Sequence, residues 1–500
     1  MKKTKLHRVT TAIAAVLIAI MPLSMTAQSP FSGGSGTREA PYQIATAADL
    51  AKLAELVNGE ETAEWNSLFY TLTADIDLST LLTASFNDGK GWIPIGTMTR
   101  PFRGLFEGNE FAVKGLTIND PGLEGAGLFG SVTAGVIGNL GVENVNISGS
   151  TRVGGITGNM ASASASSPER ATIVNCYVTG TLVAAGNNAG GLVGSTNVVT
   201  IQESYAIVDV TGVDHVGGIV GQFAGDSSIV ANCYTAGSVK GNTFVGGIAG
   251  RQVLAVKAIS NNFTTATIEG SAPMGGILGQ MANSPLGRIE NNVVLSERII
   301  AASVGAPTVT YEDANRVNRI LGTSGSHDPF SSNNLRMANN HAFDGVILDS
   351  VGVETRWYTL VHDTSWNGAD ATKELLNTAA FWRDVVGLDP EIWTMLGGQL
   401  PILAWTGGNQ TGTMPDYLYV EGANIRNAQP TVEQQPIRAW VENGVMYMQG
   451  LPLGQTYRIF TVNGQLVHQG VVTSDVMTWR GTVSGTYIIQ AGERAGKVVF

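Results

Sequence analysis

The sequence predicts an all-β chain: a parallel β-helix opened by one capping helix and followed by a small antiparallel β-sandwich. Three observations carry the expectation. A six-residue Gly-rich motif returns six times between residues 125 and 279, a second motif keeps step with it, and the composition favours short strands joined by tight turns. Glycine fills 63 of 500 positions and charged residues are only 14%, against roughly 7% and 25% in average soluble domains. Glycine at that density disfavours helices, where each one costs about 1 kcal/mol relative to alanine.

In chain order, residues 1–27 read as a signal peptide. Lys2, Lys3, Lys5 and Arg8 give a charged start, Ala12 to Met21 an apolar stretch, Pro22 a break and Ala27 a small residue at the cut, so the mature chain begins at Gln28. The apolar stretch is too short to anchor in a bilayer, and no membrane span is expected in the mature chain. Net charge is −11, with no Lys/Arg cluster beyond residue 8. That argues against a nucleic-acid partner and reads as solubility. Cys176 and Cys233 are the only cysteines, which excludes a disulfide-stapled scaffold.

Residues 28–120 form the N-terminal cap and the first coils in this reading. Within them, 46–58 is an amphipathic helix. Thr46 and Asp49 start it as a capping box, Leu50, Leu53, Ala54 and Val57 share one face, and Gly59 stops it. Such a helix would cover the open edge of the first coil.

Residues 121–300 hold the repeat. GAGLFG, VGGITG, AGGLVG, VGGIVG, VGGIAG and MGGILG carry the paired-glycine positions Gly127, Gly155, Gly191, Gly218, Gly247 and Gly276, and close on Gly130, Gly158, Gly194, Gly221, Gly250 and Gly279. Spacings between the second glycines are 28, 36, 27, 29 and 29, and SASASSPER (162–170) accounts for the long one. The companion motif is IVNCY, IQESY, VANCY, ISNNF and IENNV. Each repeat offers two or three strands too short to bury an apolar face alone, so stacking is what closes the core. A period of 27–29 residues suits one three-strand turn of a solenoid. The glycines permit tight corners and close backbone approach.

VGGIVG preceded by NCY-like segments resembles the GLUG repeat of bacterial surface proteins. Upstream, GSGTREAPYQIATAADLAKLAELVN, YTLTADIDLS, WIPIG and PFRGLFEGNEFAVKGLTI are similar to the usual companion pattern. Downstream, FWRDVVGLDPEIW and LPIL are similar to the usual ending. The resemblance implies a right-handed β-helix and a surface, adhesin-like role. Such repeats also accompany peptidases, so they do not fix a function.

Residues 301–405 lose the repeat and carry Trp357, Trp366, Trp382, Trp393 and Trp405. They read as irregular coils and the opposite cap, with the aromatics as cap core or, alternatively, a sugar-stacking platform. Residues 406–436 read as a linker. Residues 437–500 read as a β-sandwich, because Asn443-Gly444 and Asn463-Gly464 each sit between strand-like runs. YRIFTVNGQLVHQG, GTYIIQ and KVVF resemble the C-terminal sorting domain of type IX secretion cargo, although Ser484-Gly485-Thr486-Tyr487 replaces the more usual Pro-Gly-x-Tyr. That resemblance implies that the secretion machinery engages residues 437–500 and that the chain reaches the surface or is secreted; the alternative is an ordinary β-sandwich on a chain that stays in the periplasm.

No catalytic, cofactor or metal motif stands out. GAGLFG matches G-x-G-x-x-G, but it aligns with five sister motifs rather than with a strand-turn-helix. His215, His327, His341, His362 and His468 lack metal-ligand spacing. Aligning the repeats puts Ser148, Thr211, Lys240 and Glu269 in one column, where a surface ion pair is expected. A second column, Asn139, Asn175, Glu203, Asn232, Asn261 and Asn291, reads as a structural Asn ladder with one substitution. Asp344, Asp349, Asp363 and Asp370 fall in the irregular region. The expected function is non-catalytic binding of an extracellular glycan or a host or matrix protein by a solenoid flank. The alternatives are a polysaccharide lyase or hydrolase, which needs paired carboxylates on one face, and a purely structural surface component.

Overall fold

The computed structural model describes residues 29–420 and 438–499 apart from interruptions, the longest at 302–316 and 325–335. The expectations for Ala27 and Gln28, and for Trp357 and His327, lie outside the described residues. The chain divides into Met1–Glu421 and Gly422–Phe500.

In the first unit, strands of two to nine residues stack in parallel, coil on coil. Val199–Gln202, Tyr205–Thr211, Asp214–Gly217 and Val220–Ala224 make one turn. They contribute to four sheets of 10, 15, 6 and 7 strands, called sheets 1 to 4 below. The register follows the repeat: Tyr177 pairs with Tyr205 and Tyr205 with Tyr234, while Val216 pairs with Val245 and Val245 with Met274. Each turn therefore has four strands, not the two or three expected. The reason is the glycine pair, which divides VGGIVG between the end of sheet 3 and the start of sheet 4.

None of the twelve motif glycines has positive φ. What they require is proximity. A Cβ on Gly191, Gly218 or Gly247 would stand 2.1 to 2.2 Å from the carbonyl oxygen of the equivalent glycine one coil on. The equivalent atom on Gly158, Gly194, Gly250 or Gly279 would meet backbone at 2.4 to 2.5 Å, and on Gly221 at 2.6 Å. On Gly127 or Gly130 it would stand 2.4 or 2.3 Å from a carbonyl oxygen, on Gly155 2.4 Å from the Val178 side chain, and on Gly276 2.1 Å from Arg319 O. The left-handed corners belong instead to the Asn column, where Asn139, Asn175, Glu203, Asn232, Asn261 and Asn291 all have φ between 51° and 58°. Asn tolerates that region because its side chain bonds locally.

The repeat does not end at residue 300. Val317 and Asn318 pair with Met274 and Gly275, and Met337 pairs with Ile289. This further coil puts Arg319 where earlier coils have the second glycine. Arg319 is fully buried and donates to Asn367 O, Gly368 O and Phe343 O, and to Asp370 Oδ1 at 2.7 Å.

The helix Ala47–Asn58 forms as read. Thr46 and Asp49 make the reciprocal capping box, and Leu50, Leu53, Ala54 and Val57 are its buried face. They join the single core that runs through the solenoid. Asn58 fixes the helix end by donating to Pro94 O at 2.9 Å and accepting from Gly96 N.

Residues 373–407 and 412–420 do not form the opposite cap. They make an out-and-back strap along the outside of the stack, at the corner between sheets 1 and 2. Asn339 donates to Val385 O and Val386 O, the Trp393 indole donates to Asn232 Oδ1, and the Trp405 indole reaches Glu203 O at 2.8 Å. Trp393–Thr394 pairs antiparallel with Ile402–Leu403, and on the way back the Tyr417 hydroxyl donates to Leu295 O. The first part of the expected linker belongs to this strap, because Met414 and Leu418 are apolar and buried.

In the second unit, Arg438–Glu442, Val445–Gln449 and Val476–Trp479 form one antiparallel sheet. Thr456–Thr461, Leu466–Val471, Thr486–Ala491 and Arg494–Val499 form another. Met446, Met448, Tyr457, Ile459, Tyr487 and Ile489 share its separate core. Asn443-Gly444 and Asn463-Gly464 lie outside the described residues, but the strands before and after each pair with one another, Glu442 opposite Val445 and Phe460 opposite Leu466.

Candidate functional site

Sheet 2 has the most strands of the four sheets, 15, and presents an outer face. Alternation along Tyr205–Thr211 buries Ala206, Val208 and Val210 and turns Tyr205, Ile207, Asp209 and Thr211 outward. In-register pairing repeats those positions coil by coil, about 4.8 Å apart. Three open columns result: Thr179, Ile207 and Ala236; then Asn146, Thr181, Asp209, Ser238 and Thr267; then Ser148, Val183, Thr211, Lys240 and Glu269. Ile207 is 45% exposed and Val183 38%.

Polar groups on this face bond along the columns. Ser238 Oγ donates to Asp209 Oδ1 and Lys240 Nζ to Glu269 Oε1, each at 2.6 Å. The Lys240–Glu269 pair is solvated, with side chains 54% and 33% exposed. It contributes at most about 1 kcal/mol.

The fourth outward column is aromatic. Tyr177, Tyr205, Tyr234 and Phe263 stack nearly parallel at 4.8 to 5.0 Å between ring centroids. The strap covers this column: Trp405 packs on Tyr177 and Tyr205, Trp393 on Tyr234 and Phe263, and Trp382 on Phe263. Burial pushes the Tyr177 and Tyr234 hydroxyls up, and the Tyr177 hydroxyl bonds the Glu143 carboxylate besides. Trp382 and Trp393 are buried and serve as core, not as a stacking platform.

The remaining sequence-stated residues take structural places. Cys176 and Cys233 are free and fully buried. Desolvation raises both thiols to about 12. Between and beyond them runs an inner ladder that the sequence reading missed: Ser204, Asn262, Asn292 and Asn340. Each side-chain oxygen accepts from the backbone N–H of residue 176, 233, 262 or 292 one coil earlier. The doubled asparagines of ISNNF, IENNV and ANNHA were its signal. His215 is held between Asn188 Oδ1 at 2.8 Å and the Arg251 guanidinium at 3.3 Å. Burial first, and Arg251 second, depress its pKa to about 4. His341 is largely buried against Phe381. Asp370 pairs with Arg319, and Asp363 accepts from Asn339 N. Among the described residues, no three His, Cys, Asp or Glu side chains are grouped to hold a metal ion.

No family model matches the chain. Halomucin of Haloquadratum walsbyi is 36% identical over 188 residues, 36% of this chain and 2% of that protein. A protein of Evansella cellulosilytica, provisionally named a Gly-rich membrane protein, is 36% identical over 135 residues, 26% of this chain and 14% of that one. The chain thus matches a small fraction of the length of either relative. A solved structure from Bacteroides ovatus, provisionally named an immunoglobulin A1 protease, covers 75% of this chain and 95% of its own at 21% identity, with a TM-score of 0.48.

Proposed function

We propose that this chain is an exported surface protein that binds an extended glycan or matrix protein along the outer face of sheet 2, without turnover. The observation that supports this reading most is the open, in-register set of columns there, alternating aliphatic Ile207 and Val183 with hydroxyl, amide and carboxylate groups. Equivalent weak contacts repeated every coil sum through multivalency when the ligand is itself a polymer. The sequence match to halomucin is consistent with a surface setting. The solenoid winds right-handed in this reading, as strand–crossover–parallel-strand connections overwhelmingly do, and the helix Ala47–Asn58 closes its first coil. The GLUG likeness rests on the motifs alone, and the same holds for the sorting role of residues 437–500. Both belong to the proposal.

The test incubates the purified chain with a panel of polysaccharides and matrix proteins, scoring retention and cleavage. Ile207→Asp with Asp209→Ala should abolish retention, and Lys240→Ala should weaken it less. Reproducible cleavage lost on mutating one carboxylate would replace this reading with an enzymatic one. Retention unchanged by substitutions on the sheet 2 face would place the binding elsewhere. For export, deletion of 437–500 should leave a folded solenoid that no longer reaches the surface.

A further inference from the structure

The corner between sheets 1 and 2 is turned by residues 139, 175, 203, 232, 261, 291 and 339, all with φ of 51° to 58°. Where asparagines follow one another undisturbed, the later amide donates to the earlier Oδ1. Asn175 bonds Asn139 at 2.9 Å, Asn291 bonds Asn261 at 3.0 Å, and Asn339 bonds Asn291 at 2.9 Å. Glu203 interrupts this ladder. Asn175 Oδ1, the atom that faces the next coil, is buried with no hydrogen-bond partner. An ionised carboxylate has no hydrogen to offer it, whereas a carboxylic acid has one.

The interruption coincides with the docking of the strap. The Trp405 indole hangs on Glu203 O, and the Trp393 indole takes Asn232 Oδ1 in place of the next ladder amide. We propose that Glu203 is a proton-operated latch for the strap: protonated, it donates to Asn175 Oδ1, completes the ladder and fixes the carbonyl that Trp405 grips. Ionised, it sets a negative charge against an unpartnered oxygen and loosens the same corner.

The surroundings favour this behaviour. Burial raises the Glu203 pKa, and no charged group is among the causes of that shift. Around it stand the Trp405 indole on its own carbonyl, Asn175 and Asn232 at the neighbouring corner positions, and the Cys233 thiol, which burial keeps neutral up to about 12. With the folded pKa above the unfolded value of about 4.3, the neutral form's contribution is complete below that value. It is lost as pH rises through the folded pKa.

The experiment compares the full chain with Glu203→Gln and Glu203→Ala. Glutamine carries a donor at every pH and, unlike asparagine, brings no added preference for the left-handed corner. Melting of Glu203→Gln should exceed the parent by about 1–2 °C at about pH 7 and match it at about pH 4. Hydrogen exchange of residues 393–406, corrected for intrinsic rate, should slow in that variant only at the higher pH. Glu203→Ala, with no donor, should fall below the parent at the lower pH. A Glu203→Gln offset that is the same at both pH values, or absent at the higher one, overturns the latch.

Discussion

Replacing Gly218 by alanine adds a methyl group where the coil has no room for one. The new Cβ would lie 2.2 Å from Gly247 O and 2.7 Å from Thr235 Cγ2. Both neighbours are committed. Thr235 is fully buried, and its hydroxyl bonds Gly247 O at 2.8 Å and Thr264 Oγ1 at 2.7 Å. Gly247 O belongs to backbone locked between two coils, so the clash is relieved by displacing Thr235 and parting the coils. Overpacking of this kind costs about 1–3 kcal/mol, and loss of one buried hydroxyl bond adds about 1 kcal/mol. The alanine recovers about 0.4–1 kcal/mol by restricting the unfolded chain. The net expectation is a loss of about 1–4 kcal/mol, read by urea unfolding with linear extrapolation. Gly387→Ala is the control: its φ of +81° strains alanine, but no atom lies within 4 Å. A Gly218→Ala protein within about 0.5 kcal/mol of the parent would refute close approach as the reason for these glycines.

Cys176 and Cys233 should resist alkylation in the native chain, and both should label after unfolding without reductant, because each is buried and its thiol raised to about 12; labelling of neither would show that they are bridged. Asn292→Ala removes the acceptor for Asn262 N and Nδ2 and the donor to Ile259 O, so unfolding should show a loss of about 3–5 kcal/mol, far beyond that of Lys240→Ala. His215 has its folded pKa depressed to about 4 by burial and Arg251, so its contribution is complete above the unfolded value of about 6.5 and lost as pH falls through the folded one. Stability measured from neutral pH down to about pH 4 should therefore decline less steeply in His215→Gln than in the parent.

The solenoid was legible because its signals are local and periodic. The capping box at Thr46 and Asp49 needs four residues to be seen, and the glycine and Asn columns recur at nearly fixed spacing. The four-strand turn was not, because VGGIVG reads as one strand until the backbone is seen to fold at Gly218. Irregular coils were expected after residue 300, but their register was hidden by the long stretches around them and by Arg319, a charged residue at a position that elsewhere demands glycine. Its burial makes sense only with Asn367, Gly368 and Asp370 beside it. The strap gave no periodic signal at all. Trp382, Trp393 and Trp405 lie 11 and 12 residues apart, a spacing that matches neither the strand nor the coil period, and their partners Phe263, Asn232 and Glu203 lie more than a hundred residues away. The aromatic column is a plainer case. Tyr177, Tyr205, Tyr234 and Phe263 close the companion motif in four successive copies, which announces a stack but not what covers it.

The strap changes how such a stack can come apart. In a solenoid whose coils touch only their neighbours, stability is a sum of nearest-neighbour terms and the ends can fray one coil at a time. Here residue 405 is tied to 203, 393 to 232 and 417 to 295. The terminal coils near residue 340 cannot peel away without stripping indoles from coils well inside the array. Opening from the C-terminal end thus becomes an all-or-none event with a higher barrier. These bonds and the buried strap residues add to native stability, and the tie between distant coils should also slow stepwise unwinding from that end.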